Sequence, residues 1–390
     1  MEKWAIKRIG LKSLLVVTVI ILLAVPFHYW TVDKKGVLRN LYPATALLSS
    51  WTTSCSNAAP DWQFEMMNFG LWNLRAAASQ SAFIDRSGNL HHCESGWEGE
   101  ITSSPLVTET SLFQYGSLTK PITSALIINL NNQDRLRFEQ SVLEIFSGGI
   151  ENNVSNRFEV VTVGNLMRFT AGVSGEAFVD KPDSWCPYRM NEIFKQKPWV
   201  AKDKGHRYSN LSYCILGGIA SELTGRAYRP LVSETFDLES YGIKFVDAPS
   251  QKGWVSPDYR YHDFYRDDLE PSFDYTSISS TGGLGGSAEG YARLIRRLLD
   301  LSFSDHLTDK TEICDARKIK NCYGYMFYAY EPNATQIINV KEGHMPGFSS
   351  IVAINEKEEV FVWLGNSDTP NASSGVMMKK FLDLLAERWL

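Results

Sequence analysis

The stretch "FQYGSLTKPI", residues 113–122, sets a serine and a lysine three positions apart at the entrance to an apolar run. Three residues nearly complete a helical turn, so Ser117 and Lys120 share one face. Ile122, Leu126, Ile127 and Leu130 recur at helical spacing, and Pro121 falls in the first turn, where its missing N–H costs nothing. Ser117 is therefore expected to open a helix, where unpaired backbone N–H groups and the macrodipole favour developing negative charge. That suits a nucleophile. A solvated helix face has the same spacing, so the pair needs company before it means chemistry.

Further along, Tyr208-Ser209-Asn210 is the one Y-x-N in the chain, as Ser117 to Lys120 is the one S-x-x-K, and Lys341-Glu342-Gly343 follows both at the end of a predicted strand. The intervening sequence supplies the frame. "SQSAFIDRSGNLHHCESGW" reads as a hairpin turning at Arg86-Ser87-Gly88-Asn89. "LSYCILGGIASELTG" reads as a helix closed by Gly225. "GGLGGSAEGYARLIRRLLD" is a glycine-rich turn feeding another helix, with Ser287 as N-cap. Near the C-terminus "ATQIINVKEG", "FSSIVAINEK" and "EEVFVWLGN" read as three consecutive antiparallel strands, and "GVMMKKFLDLLAERWL" as an amphipathic helix that covers the sheet.

With 390 residues the chain can bury a large core. Its 44% hydrophobic and 21% charged residues are those of an ordinary folded protein. A net charge of -5 without a basic run leaves no electrostatic footprint for nucleic acid. "SLLVVTVIILLAVPFHYWTV" carries no charge between Lys12 and Asp33, and about twenty helical residues span the roughly 30 Å hydrocarbon core of a bilayer. No small-x-small site follows, and the aromatic cluster at Phe27–Trp30 suits an interface belt, which favours an uncleaved anchor over a signal peptide. Lys3, Lys7, Arg8 and Lys12 before the span nearly match Lys34, Lys35 and Arg39 after it, so the charge bias votes only weakly for a cytoplasmic N-terminus. The expected division is a tail and anchor over 1–32, a poorly defined lead-in over 33–74, and a folded domain over 75–390.

All six cysteines follow the span, which suits an oxidising compartment. Cys314 and Cys322 bracket a short polar segment and can close a small loop. For Cys186 and Cys214, separate buried thiols remain an equal alternative. His91-His92-Cys93 alternates across a strand without a further ligand cluster, so no metal is expected.

Taken together, "SLTK", "YSN" and "KEG" resemble the serine β-lactamase and penicillin-binding protein superfamily, in its class C and D-peptidase or esterase branch, where S-x-x-K, Y-x-N and K-T-G occur in this order. "LFQYGSLTKPITSALI", "KGHRYSNLSYCILGGIASELTG", "SSTGGLGGSAEGYARLI" and "VKEGHMPGFSSIVAI" are similar to the family's local patterns as well. The resemblance implies an α+β domain of the β-lactamase/DD-peptidase type: an antiparallel sheet flanked by helices with a mostly helical region. It implies a serine acyl hydrolase without a cofactor, acting on an ester, amide or peptide. Ser117 would be the nucleophile and Lys120 the nearby base. Tyr208, with an ordinary pKa of about 10, serves as a base only where cations such as Lys120 and Lys341 favour its phenolate. By the same resemblance Asn210 would bind the acyl part, and the backbone N–H groups of Ser117 and His344 would hold the oxyanion.

Two departures bear on substrate. "LMRFTAG" stands where many members have a leucine-histidine-threonine-serine-glycine run. Glu342 replaces a small hydroxyl residue between Lys341 and Gly343, and His344 follows where serine is common. Reading His344 instead as the family's alternative histidine needs a deletion before Pro346; the Lys341 alignment needs none. Family members that take β-lactams use that hydroxyl and the lysine to receive a carboxylate. A bare glutamate there would repel one by roughly 1 to 4 kcal/mol at intermediate dielectric. Neutral or cationic esters and amides are therefore the expected substrates, unless strand alternation turns Glu342 away. The competing plans are an α/β-hydrolase, which lacks its G-x-S-x-G elbow, and a serine–His206 pair, for which no aspartate can be picked out. The runner-up in function is a tethered binding protein of the cell envelope that keeps the fold without the catalysis.

Overall fold

The computed structural model describes residues 11–146, 158, 160–175, 186–195, 199–200, 206–248, 251–258, 260, 274–301, 303, 314–367 and 375–389. Its centre is an eight-stranded antiparallel sheet of β1 (Ser54–Cys55), β2 (Ser79–Ile84), β3 (Leu90–Ser95), β4 (Cys322–Tyr323), β5 (Tyr328–Asn333), β6 (Gln336–Met345), β7 (Phe348–Asn355) and β8 (Val360–Gly365), in the order β1-β3-β2-β8-β7-β6-β5-β4. The N-terminal hairpin thus lies beside the last strand. Its turn falls where expected: Gly88 takes a positive φ of 84°, which a residue without Cβ adopts at little cost, and the Asn89 backbone N–H donates to Asp85 Oδ1 at 2.9 Å.

Strands β7 and β8 are buried on both faces, because helices cover the sheet on either side. One cover is α5 (Ala288–Asp300), whose N-cap Ser287 accepts from Gly290 N and which packs on β2 and β8. The other is α2 (Asp61–Trp72) with α6 (Gly375–Arg388), where Phe381 meets Phe69, Phe361 and Trp363 at ring-centroid distances of 5.6, 6.3 and 6.1 Å. Burying several such rings drives this layer together, each at roughly 2 kcal/mol or more.

A helical region stands beside the sheet. Its axis is α3 (Thr119–Asn132), nearly every residue of which is buried, packed on α4 (Asn210–Thr224). α4 ends at Gly225 in the left-handed conformation, as its sequence requires. The expectation that Ser117 opens a helix needs one refinement: Gly116–Leu118 forms a 3₁₀ turn, and the α-helix starts at Thr119.

α1 (Leu11–Val32) is 22 residues long, and its segment Leu15–Val32 has a mean hydropathy of 2.1, long and apolar enough to cross a membrane. The lead-in that sequence left undefined is structured. Helices Lys34–Asn40 and Tyr42–Ser50 follow α1, and Tyr42 and Ala46 pack on Leu71 and Ala77. Sequence missed them because a short helix stabilised by tertiary contacts has little periodicity to show. The cysteines form three disulfides, Cys55–Cys93, Cys186–Cys214 and Cys314–Cys322. The second replaces the pair of separate thiols that remained open from sequence.

Candidate active site

The 3₁₀ turn that carries Ser117 is wedged between α5 and the edge of β6. Tyr115 donates its hydroxyl to Ser287 O and Tyr291 donates to Leu118 O, both at 2.7 Å and both buried. Ser350 Oγ donates to Tyr115 O at 2.7 Å, which fastens the turn to β7. The approach of β6 is so close that glycine is required on both sides. A Cβ on Gly116 would stand 2.7 Å from His344 O, and one on Gly343 would stand 2.2 Å from Tyr115 O and 2.9 Å from Ser117 N. Gly116 also has φ +53°, so the turn and the strand edge need it for two reasons. The backbone of Gly116–Ser117 therefore lies against that of Gly343–His344, with a helix start on one side and a strand on the other.

Around the serine the side chains form one bonded cluster. Ser117 Oγ is 2.7 Å from the Tyr208 hydroxyl, and Lys120 Nζ donates to Ser117 Oγ at 2.9 Å. The same ammonium donates to Asn210 Oδ1 and to Thr281 O, both at 2.7 Å. Lys120 is only 1% exposed, so these bonds replace the water it has lost. Tyr208 and Asn210 are brought in by the start of α4, where Ser209 caps the helix by accepting from Ser212 N. Tyr208 is 39% exposed, so its hydroxyl faces both the serine and solvent.

Two ammonium groups flank the Tyr208 ring: Lys120 Nζ lies 5.1 Å and Lys341 Nζ 5.2 Å from its centroid. Both stabilise negative charge on the ring and its oxygen. Lys341 is buried, which pulls its pKa down to about 8; Glu342 pulls it upward and Lys320 pushes it further down. Its Nζ donates to the main-chain carbonyl of Glu342 at 2.7 Å.

The Glu342 carboxylate is 4% exposed and its Oε1 lies 2.6 Å from Lys320 Nζ. Burial favours its neutral form, but the charges of Lys341 and Lys320 outweigh burial and hold its pKa below the usual carboxylate range. The charge is thus matched by a lysine, and the bare repulsion expected from sequence loses its premise.

Several residues of this site carried no motif. Phe169, at φ +57°, lies 4.6 Å from Tyr208, 5.2 Å from Tyr213 and 4.9 Å from Tyr323, centroid to centroid. His206 stacks on Tyr323 at 4.6 Å with ring planes 9° apart. The signal for this wall was the departure "LMRFTAG", whose phenylalanine supplies the packing surface behind the tyrosine. Thr281 contributes only a carbonyl, which no side-chain pattern reveals. Lys320 sits in the polar segment between Cys314 and Cys322.

The histidines at 91 and 92 serve the sheet: His91 pairs with Asp85 at 3.4 Å and His92 with Glu94 at 2.9 Å, while Cys93 is in a disulfide. Among the described residues no group of three or more His, Cys, Asp or Glu side chains is placed to hold a metal. A cavity of about 760 Å³ is lined by Tyr188, Arg189, Gly218 and Arg226 among others, and none of the cluster lines it.

Residues 78–379 match the family model described as Beta-lactamase. The chain belongs to the beta-lactamase family. Its fold is similar to that of a class C beta lactamase from Rhodobacter sphaeroides, with a TM-score of 0.64 and 16% identity over 85% of this chain and 100% of that one. It is equally similar to the D-amino acid amidase from Ochrobactrum anthropi SV3, with a TM-score of 0.66 and 13% identity over 85% and 100% of the two chains. Along nearly its whole length, 94% of both chains, it is 25% identical to a protein of Dichelobacter nodosus named as a putative fimbrial assembly protein, serogroup D. The beta-lactamase fold of an antiparallel sheet with covering helices is thus common to this chain and its solved neighbours.

Proposed function

We propose that the chain is a membrane-anchored serine acyl hydrolase that works through an acyl-enzyme on Ser117, with its catalytic domain outside the cytoplasm, on the periplasmic side of a bacterial inner membrane. The observation that carries this reading is the placement of Ser117 Oγ within hydrogen-bond distance of both Tyr208 and Lys120. A serine hydroxyl becomes a nucleophile when a base takes its proton, and here Tyr208, flanked by the Lys120 and Lys341 ammonium groups that favour its phenolate, is the base in reach. As Oγ bonds to the carbonyl carbon, its proton passes to the Tyr208 phenolate, while the Lys120 ammonium stays hydrogen-bonded to Oγ. The oxyanion is held by the backbone N–H groups of Ser117 and His344. Collapse expels the alcohol or amine, which takes a proton from Tyr208, and water then releases the acyl group by the same path. Asn210, fixed by Lys120 through Oδ1, binds the acyl part of the substrate. The outward placement is supported by the apolar helix α1 and by three disulfides beyond it.

The test is to incubate the full chain in detergent with a fluorophosphonate and, separately, a penicillin probe, and to map adducts by mass spectrometry. Labelling of Ser117 by the fluorophosphonate alone is the expected outcome for an esterase or amidase. Ser117→Ala should abolish labelling and lower turnover by roughly a thousandfold or more. Turnover within tenfold of the parent would remove Ser117 from the mechanism. The second reading, an envelope binding protein without turnover, draws on the full-length likeness to a protein named for fimbrial assembly. A folded chain that neither probe labels would favour it.

A further inference from the structure

Glu342 is a buried carboxylate within the third motif, and the cation that meets it comes from outside all three motifs. Lys320 lies two residues before Cys322, whose disulfide to Cys314 closes a short loop, and Cys322 itself pairs with Ala329 in the sheet. Lys320 has φ +63°, a left-handed conformation that costs a lysine about 1 kcal/mol, so the loop holds it there against a local penalty. From that position its Nζ reaches Glu342 Oε1 at 2.6 Å. Lys341, the neighbour of Glu342, bonds instead to a main-chain carbonyl and stands 5.2 Å from the Tyr208 ring centroid.

We propose that Lys320 is a positioning residue of the catalytic site: by taking the Glu342 carboxylate, it leaves the Lys341 ammonium facing Tyr208. The inference rests on the serine-hydrolase reading. A buried carboxylate without a partner is strongly destabilised, so with Lys320 gone the carboxylate draws Lys341 toward itself and the positive field at Tyr208 weakens. The charged and titratable groups that face this carboxylate are Lys320, Lys341, His344, Tyr323 and Tyr328, with Tyr208 across Lys341. Among them only Lys320 and Lys341 carry a full ammonium charge. Loss of Lys320 therefore shifts most of the neutralisation onto Lys341, the larger of the charges that remain beside the carboxylate. The sign is fixed as well: Lys320 pushes the pKa of Lys341 down, so its removal raises that pKa.

The experiment compares Lys320→Met, Lys320→Arg and the double variant Lys320→Met with Glu342→Gln against the parent chain, using fluorophosphonate labelling of Ser117 as a function of pH. Lys320→Met should label about tenfold more slowly at neutral pH, with the alkaline limb of the profile moved upward. Lys320→Arg should keep most of the rate, because a guanidinium also pairs with a carboxylate. The double variant should recover much of the loss, since no carboxylate remains to draw Lys341 away. A second readout follows Lys341 by NMR in protein labelled with 13C at lysine Cε, where its titration midpoint should rise in Lys320→Met. If Lys320→Met labels at the parent rate with an unchanged pH profile and an unmoved Lys341 midpoint, the proposal is overturned. If the parent is never labelled but the midpoint moves, the hydrolase reading fails while the electrostatic role of Lys320 stands.

Discussion

At the Ser117 end of the cleft, each polar side chain is fixed by another from the S-x-x-K or Y-x-N motif. At the Glu342 end, a carboxylate of the third motif is held by a lysine from a separate, disulfide-closed loop. Both ends bury a charged group, Lys120 at 1% exposure and Glu342 at 4%, and both compensate it. They differ in how. Lys120 is satisfied by a serine, an asparagine and a carbonyl, all neutral, so its charge remains available to the serine and tyrosine. Glu342 is paired at Oε1 with an opposite charge, which screens its field. The first arrangement keeps a charge available beside Ser117, whereas the second screens one before it reaches that end.

If the Ser117 end acts as a unit, its parts are not independent. Lys120→Ala and Tyr208→Phe should each slow acylation by about a hundredfold or more, as removal of a proton-transfer group does. Combined, they should cost much less than the product of the single effects, because both act on one proton path. Single-turnover acylation rates in a double-mutant cycle check this. Strict multiplicativity would separate the two groups and dissolve the unit on which the comparison depends.

The two ends meet where Gly343 passes Ser117, and that contact offers a sharper test. A methyl at Gly343 would meet Tyr115 O at 2.2 Å, Ser350 Oγ at 2.4 Å and Ser117 N at 2.9 Å, none of which is the tip of a long flexible side chain. Gly343→Ala must therefore push β6 away from the turn. Misplacement of about 1 Å at a reacting centre costs up to about a hundredfold, so acylation should fall by between tenfold and a hundredfold while the fold persists. Circular dichroism and labelling kinetics on the same sample separate the two outcomes. A variant that labels at the parent rate would mean that the strand edge is not part of the oxyanion site.

The comparison also explains what the sequence could tell. Ser117 and Lys120 stand out because one helical turn joins them, and Tyr208 and Asn210 because a single Y-x-N follows them in the order of a known family. The helices closed by Gly225 and capped by Ser287, the 79–95 hairpin and the three C-terminal strands followed from glycines, caps and alternation. Those signals are local. The packing of Tyr42 on Leu71, the aromatic wall of Phe169 and Tyr323, and the reach of Lys320 to Glu342 are long-range, and no periodicity encodes them. A lysine in a polar loop looks like any solvated charge until the fold sets a buried carboxylate beside it.

The smallest expected effect is at Glu342 itself, and it measures how completely the pairing cancels the charge. Glu342→Thr removes the carboxylate and leaves Lys320 and Lys341 both available to an anionic group. Substrates that bear a carboxylate should gain in kcat/KM, whereas neutral esters should barely change. A bare glutamate would have implied a repulsion of roughly 1 to 4 kcal/mol, but with Lys320 in contact the residue is below about 1 kcal/mol, a gain of less than about fivefold. The pH dependence has a definite sign. Burial and Lys320 pull the Lys341 pKa down and Glu342 pulls it up, which together place it at about 8. Without Glu342 the ammonium is lost at lower pH, so the gain should be full in mildly acidic solution and shrink before about pH 8 is reached. Matched ester substrates with and without a carboxylate, assayed across that range, decide the matter. A hundredfold gain for the carboxylate substrate would mean that Lys320 does not screen Glu342 and that its charge faces the cleft. An equal response of both substrates would remove charge from the account of this end of the cleft and leave only the shape of the strand.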